Sequence, residues 1–295
     1  MNALDPTQTR RHDRSVLVTG ASSGIGAATA IALSAEGWTV FAGVRDLSAA
    51  PETSGAGRII PIRMDVTAPD TIAAGIAGMR DRLGGAPLDA VINNAGIGQL
   101  APMSTVPPGQ MRAIFDVNVF GAVQVTQDCL PLMRSGSRVL FVGSVGDRVT
   151  MPFGGALTAS KWAIASIAEA FRLELVADGI RVILIEPGSI FSPAVDKVDA
   201  SARATSAALA EAAPDLARRF ARAASRAVEN ERSGSSPDVV ARTIVRALTA
   251  RRPATRYLTG KHARTLAALG RLPDPVFDRI RLTIFDQPAS PQETP

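Results

Sequence analysis

Cysteine, histidine and tyrosine are almost missing from this chain of 295 residues, which holds one cysteine, two histidines and one tyrosine. A single thiol excludes an internal disulfide framework and any multi-cysteine zinc cluster. The thiol, Cys129, sits in the apolar helical stretch "VTQDCLPLM" and reads as a buried structural group. His12 and His262 lie far apart, so no histidine-based triad or metal site is expected, and no metal is assigned. Lysine is scarce too, occurring at 161, 197 and 261. The net charge of +5 therefore rests on scattered arginines. Their densest runs, "RRHDR" and "ARRPATR", are short and lack interleaved aromatics. They read as a solvated basic face, not a nucleic-acid surface. No apolar run approaches the roughly 20 residues of a membrane span. The opening "MNALDPTQTRRHDR" has no apolar core of a signal peptide, so a cytoplasmic location is expected.

What the chain does have is a hydrophobic fraction of 46% against 20% charged residues, a globular composition. Short β-branched runs alternate with helical patterns: "SVLVTG", "WTVFAGVR", "RIIPIRMDV", "LDAVINNAG", "SRVLFVGS" and "IRVILIEPGS" read as six strands. Between them, "GIGAATAIALSAEG" closes on Gly37, and "ALTASKWAIASIAEAFRLELVADG" again closes on glycine. The stretch "MRAIFDVNVFGAVQVTQDCLPLMRS" reads as one long helix. Strand–helix alternation of this kind predicts an α/β fold, a Rossmann-type doubly wound parallel sheet in a single domain over residues 15–285. Within it, residues 191–233 are Ala/Arg-rich and helical in propensity, interrupted by Pro214, and are expected to form a mobile helical lid over the substrate. Residues 235–285 form a C-terminal extension whose "DVVARTIVRALTA" helix starts at a plausible Asp238 cap. Residues 1–14 and 286–295 are expected to be a disordered arm and tail.

The first chemical signal is "TGASSGIG" between the first strand and its helix, with Gly20, Gly24 and Gly26. Glycines there permit a tight turn and close backbone approach to a pyrophosphate seated at the helix N-terminus. The spacing differs from G-x-G-x-x-G, but the strand before, the helix after and the following βαβ unit favour dinucleotide binding. The end of the second strand addresses the choice of dinucleotide. A carboxylate expected there for an unphosphorylated ribose is replaced by Val44, then Arg45, with no acid until Asp46. A guanidinium suits a 2′-phosphate, so NADP(H) is the expected cofactor.

From Ser15 to Ser192 the chain resembles the short-chain dehydrogenase/reductase family. The resemblance rests on "TGASSGIG", "DV" at 65–66, "NNAG" at 93–96, "DVNVFG" with Asn118, "VGSVG" with Ser144 and "EPGSIFS", all in family order. The segment "ARRPATRYLTGKHARTLAALGRLPD" is further similar to the branch of retinol and 17β-hydroxysteroid dehydrogenases. The resemblance implies that Ser22, Ser23 and Ile25 join the glycines in the phosphate loop, with Ser22 helping to hold the 2′-phosphate. It implies that Asp65 and Val66 flank the adenine, and that Asn94, Ala95 and Gly96 line the cofactor floor. Pro187, Gly188 and Ile190 would meet the nicotinamide carboxamide, with Ser192 standing where threonine is usual.

The resemblance also implies a catalytic group: Ser144 to orient a carbonyl, Lys161 to grip the nicotinamide ribose, and Asn118 to hold a water relay. The family's proton-carrying tyrosine is absent. Leu157 stands in its place, one helical turn before Lys161, and Ala156 replaces the usual proline. Thr158 lies about 100° around the helix from Leu157, and Tyr257 is far downstream. Ser144, or a water held by Lys161 and Asn118, is the more plausible substitute. The expected function is an NADP(H)-dependent oxidoreductase for a bulky apolar ketone or alcohol, with impaired or non-standard proton transfer. A dinucleotide-binding protein without turnover, and a non-redox enzyme performing cyclisation or isomerisation, stay open at this point. The family's habit of pairing through its two long helices implies a homodimer or homotetramer.

Overall fold

The computed structural model describes residues 14–288. Its centre is a seven-stranded parallel sheet in the order β3-β2-β1-β4-β5-β6-β7. The strands are β1 (Ser15–Thr19), β2 (Thr39–Val44), β3 (Arg58–Arg63), β4 (Ala90–Asn93), β5 (Arg138–Val142), β6 (Arg181–Pro187) and β7 (Arg256–Thr259). Every residue of β1 and β4 is buried, as strands covered on both faces must be. Val16 stands opposite Val40 on one side and Ala90 on the other, so three apolar runs share one register.

Helices cover both faces. On one, α1 (Gly24–Ala35) lies against α8 (Pro237–Thr249), and Leu33, Ile244 and Leu248 meet Val16, Ile92 and Leu140 of the sheet. On the other, α2 (Pro69–Leu83) and α4 (Gly121–Cys129) bring Ile72, Met79, Val125 and Cys129 onto Leu17 and Val91. Next to them α5 (Gly155–Glu174) packs Ile164 and Ala168 on Phe141 and Val182. Cys129 is fully buried and its thiol is pushed up to about 12 by desolvation, the inert group expected.

Several elements differ from the sequence reading. The expected long helix over residues 111–135 is broken into α3 (Pro108–Phe115), a five-residue π turn at Asp116–Phe120, and α4. The seventh strand, "RYLT", was not expected. It is four residues long, has polar ends, and forms because β6 offers it a register with Tyr257 opposite Ile185. The cap of α8 is Ser236, whose Oγ accepts from the Asp238 amide at 3.3 Å, and not Asp238. Pro237 suits the first helical position and so moves the start of the helix back by one residue. Pro214 begins a helix and does not interrupt one: α6 (Ala194–Leu209) and α7 (Pro214–Arg232) form a hairpin. That hairpin has its own small core, in which Phe220 is fully buried and meets Phe153 edge-to-face at 5.4 Å.

After β7 come α9 (Ala263–Leu269) and α10 (Asp274–Ile284). Gln287 then donates to Arg219 O at 3.1 Å, bringing the end of the described chain onto α7. The expected disordered arm and tail lie outside the described residues, except Arg14 and residues 286–288. No helix among the described residues is long and apolar enough to cross a membrane.

The α1–α8 contact makes the C-terminal segment part of the same core as the sheet. Ile244→Ala should therefore lower the global unfolding free energy by about 2–5 kcal/mol, the range for deleting a buried aliphatic side chain. A chemical denaturation curve with an unchanged slope and a lower midpoint would show it.

Candidate active site

In the strand order 3-2-1-4, the chain leaves β1 toward one face and β4 toward the other, opening a crevice beyond their C-terminal ends. A cleft of about 450 Å³ lies there. One wall is the glycine loop, with Gly20, Ser22, Ser23, Gly24 and Ile25. Gly20 has φ +64, and a Cβ on it would stand 2.8 Å from Ala95 Cα, so only glycine fits. The loop runs into α1 with no side chain capping the helix start and no acidic residue in its first turn, leaving its amides and dipole to an anion. Gly26 does not line the cleft; it lets α1 pack against the Gly20 carbonyl and the Asn94 amide.

The opposite wall is β4's extension. Asn94, Ala95 and Gly96 line the cleft, continued by Ile97 and Gly98. Thr19 ties the two walls together: its Oγ1 accepts from the Asn94 and Ala95 amides at 3.0 and 3.1 Å. Asn94 Nδ2 in turn donates to Thr19 O and Gly20 O at 3.0 and 3.1 Å. At the far end Val44, Arg45, Met64, Asp65 and Val66 close the crevice. Arg45 is exposed there. The nearby acid Asp46 is occupied, accepting from Ser48 N and Ser48 Oγ at 3.0 and 2.8 Å, bonds that hold its carboxyl below the usual range. Asp65 likewise accepts from Thr67 N and Thr67 Oγ1, which lowers its pKa.

Beyond β6, Ile190 and Ser192 reach the cleft, while Pro187 and Gly188 do not. Pro187 is buried opposite Thr259 of β7, and Gly188 packs directly on the backbone of Lys261 and Ala263, where a Cβ could not fit. Ala194, Lys197 and Val198 on α6 also line the cleft and were missed by the sequence reading. The signal existed for Lys197, one of three lysines in the chain and set in an alanine-rich segment just past Ser192.

The expected catalytic group sits deeper, next to Gly96. A Cβ on Gly96 would stand 3.3 Å from Asn118 Oδ1 and 3.8 Å from Lys161 Nζ. Asn118 is buried, and its amide is spent on the scaffold. Oδ1 accepts from Ile97 N at 2.8 Å, while Nδ2 donates to Ile97 O and to Ser160 Oγ, each at 3.0 Å. The Asn118 side chain thus ties the π turn, the Ile97 loop and α5 together. Lys161 Nζ donates to Val142 O at 3.2 Å. Desolvation pulls its pKa down to about 8, opposed by Asp147. Ser144 Oγ accepts from Gly146 N at 3.0 Å, which leaves its hydroxyl hydrogen to donate elsewhere. Leu157 packs over Gly98, with 3.4 Å from its Cδ2 to the place a Cβ would take.

Thr158 and Tyr257, the two hydroxyl groups weighed from the sequence in place of a tyrosine at Leu157, are both engaged elsewhere. Thr158 Oγ1 is buried, donating to Gly154 O and Gly155 O. Tyr257 lies on β7, its ring against the core of the α1–α8 face and its hydroxyl accepting from Ala254 N at 3.0 Å.

Beneath Ser144 lies a buried ionic network that sequence reasoning missed, since its members are scattered over three strand ends. Glu186 and Asp147 have side chains with no exposure. Arg148 donates to both oxygens of Glu186, and Arg256 of β7 bridges Asp147 and Glu186 at 2.7 and 3.1 Å. Burial and the adjacent Glu186 charge raise Asp147 to about 7, while the arginines keep Glu186 below its usual value. Among the described residues no group of histidine, cysteine, aspartate or glutamate could hold a metal ion.

Residues 14–203 match the short chain dehydrogenase family. The chain is 32% identical to human 17-beta-hydroxysteroid dehydrogenase type 1 over 275 residues, covering 88% of this chain and 81% of that one. It is 30% identical to the NADPH-dependent 3-dehydrocapnine reductase of Ornithobacterium rhinotracheale, covering 90% and 95%. A short chain dehydrogenase from Burkholderia cenocepacia solved in complex with NADP superposes with a TM-score of 0.65 at 25% identity, covering 92% and 95%.

The network makes a pH prediction. The unfolded chain releases the Asp147 proton near 3.8 and the folded protein near 7, so between these values the native state holds the extra proton. Its stability contribution therefore falls as pH rises through that window. Asp147→Asn should flatten that fall in unfolding free energies measured between pH 5 and 8; an unaltered slope would contradict it.

Proposed function

The chain belongs to the short-chain dehydrogenase family and is an oxidoreductase of that fold; we propose that it uses NADP(H) on a bulky apolar ketone or alcohol, with a non-standard proton donor. One observation carries the cofactor assignment. Arg45, Lys197 and Ser22 all line the dinucleotide cleft, and the acid beside them, Asp46, is turned onto Ser48. Cations and a hydroxyl suit a 2′-phosphate, whereas a ribose diol needs a free carboxylate. NADPH in the name of one relative and NADP in one solved neighbour support the same reading.

The residues fit the cofactor's parts in order along the crevice. The glycine loop and the uncapped start of α1 would hold the pyrophosphate; Asp65 and Val66 would flank the adenine. Gly96, Ile190 and Ser192 would line the nicotinamide end, next to Lys161. A bound reduced nicotinamide supplies a hydride to a carbonyl carbon. The chain's own part is to orient that carbonyl through the Ser144 hydroxyl and to keep water out of the cleft. Lys161, still cationic at neutral pH with a pKa of about 8, holds the adjacent ribose hydroxyls and stabilises negative charge on the substrate oxygen.

The substrate assignment rests on exposed apolar groups: Ile97, which lines the cleft, together with Met103 and Phe191 elsewhere on the surface. The α6–α7 hairpin, over residues 191–233, is the lid in this reading. Exposed Phe120, Trp162 and Leu173 on the α4–α5 side support a homo-oligomer paired through those helices.

Arg45→Ala should weaken NADPH binding by about 1.5–3 kcal/mol, the worth of hydrogen bonds to a charged group, and leave NADH binding nearly unchanged. Fluorescence titration of both dinucleotides at low salt measures this, and equal weakening of the two would sink the 2′-phosphate assignment. The oxidoreductase reading itself is tested by following NADPH oxidation across a panel of aliphatic, aromatic and fused-ring ketones and aldehydes. Consumption with at least one class is expected.

A further inference from the structure

A second, smaller cavity of about 30 Å³ adjoins the dinucleotide cleft, with Gly98 and Val198 in the walls of both. It has room for about one water or the end of a carbonyl group. Leu157, at the position of the missing phenol, forms one side together with Leu100 and Met151. The facing side is α7, which contributes Val228 and Glu231. Glu231 is the one titratable residue in this wall. The other polar residue, Gln99, donates its amide to Gln110 at 3.2 Å.

Among the described residues the Glu231 carboxyl has neither an ion-pair nor a hydrogen-bond partner. The charged groups on the surrounding elements are engaged or aimed elsewhere. On α6, Asp196 and Asp199 hold Arg232 at 2.9 and 3.0 Å, Asp199 also holds Arg203, and Lys197 lines the dinucleotide cleft. On α7 Arg226 pairs with Glu229. On α5 Lys161 donates to Val142 O, and in the turn before α5 Asp147 and Arg148 belong to the Glu186 network. Glu231 is half-buried, and a solitary carboxyl in a largely apolar wall is biased toward its protonated form until it meets a ligand.

We propose that Glu231 is the proton donor of this enzyme, acting from the lid across the cavity where the phenol of its relatives would enter from α5. The proposal rests on the oxidoreductase reading above. In the reducing direction, hydride adds to the carbonyl carbon and the C=O π pair moves onto oxygen. That oxygen bonds the proton of the Glu231 carboxylic acid, leaving an alcohol and a carboxylate that regains its proton from solvent. Partial burial without a compensating charge raises the Glu231 pKa, the direction an acid working near neutrality requires. Because Glu231 rides on the α6–α7 hairpin, the acid arrives only when the lid closes over substrate. An open lid would leave the cofactor bound without a proton source.

The test uses the full chain with Glu231→Gln, which keeps the side chain's shape, Glu231→Asp, which keeps the acid but retracts it, and exposed Glu229→Gln as control. NADPH affinity and circular dichroism should match wild type in all three. In steady-state reduction of the carbonyl panel, E231Q should lose on the order of 10²-fold in kcat, E231D less, and E229Q nothing. Wild-type kcat should fall above the Glu231 pKa, and E231Q should lose that limb. Independently of turnover, a difference infrared titration, wild type minus E231Q, should show a carboxylic acid band persisting above the pH at which exposed carboxylates ionise. An E231Q kcat within about threefold of wild type overturns the proposal. So does a rise in KM alone, which marks a substrate-binding group, and so does a carboxyl that ionises like a surface one. A wild type that binds NADPH but reduces no member of the panel overturns the role of Glu231 and leaves the dinucleotide reading standing. Failure to bind NADPH overturns that reading itself.

Discussion

The Thr19–Asn94 clamp is the contact on which the rest of this site depends. Two adjacent parallel strands, β1 and β4, end at the same level, and their chains must then separate to opposite faces. Thr19 Oγ1 receives two amides of the β4 extension, and Asn94 Nδ2 returns two bonds to the carbonyls of Thr19 and Gly20. Four bonds hold the mouth of the crevice at a fixed width. They satisfy backbone groups that a strand end would otherwise leave bare in a region poor in water. Gly20 is compelled by the same clamp, since Ala95 stands where its side chain would be.

From this rim the structure works inward by similar means. Asn118 is buried with its amide oxygen and both amide hydrogens engaged on Ile97 and Ser160, so it fixes the loop carrying Gly98 against the helix carrying Leu157 and Lys161. Glu186, between Arg148 and Arg256, ties the turn after Ser144 to the edge strand β7. Buried ion pairs of this kind gain little net stability, and breaking one by removing a partner is costly. What the network contributes is position, together with an acidic residue close enough to oppose the desolvation of Lys161.

The sheet and the α6–α7 hairpin are built differently. The sheet buries continuous aliphatic strands, while the α6–α7 hairpin rests on a core of Phe220, Leu100 and two alanines. In the proposal made above, a proton donor on this hairpin ties chemistry to its closure, which an acid on α5 would not.

The sheet was legible in the sequence because its strands are uninterrupted β-branched runs with glycine-marked ends, a pattern that local chemistry alone enforces. The glycine loop was legible for the same reason: Gly20, Gly24 and Gly26 answer to backbone geometry within one turn. The break at Asp116–Phe120 was not, since its apolar spacing also fits a continuous helix, and only the contacts of Asn118 with Ile97 and Ser160 select the π turn. Strand β7 was hidden because four residues carry no period of their own and pair only when β6 is already in place. That Leu157 stands one helical turn before Lys161, where the family resemblance leads one to expect a tyrosine, could be read directly from the chain. Glu231, 74 positions later in an arginine-rich helix, looks in sequence like one more surface charge. Its partial burial, its lack of a partner and its place in one cavity with Leu157 exist only once α6 and α7 fold back over the crevice, because burial and proximity are properties of packing and not of composition.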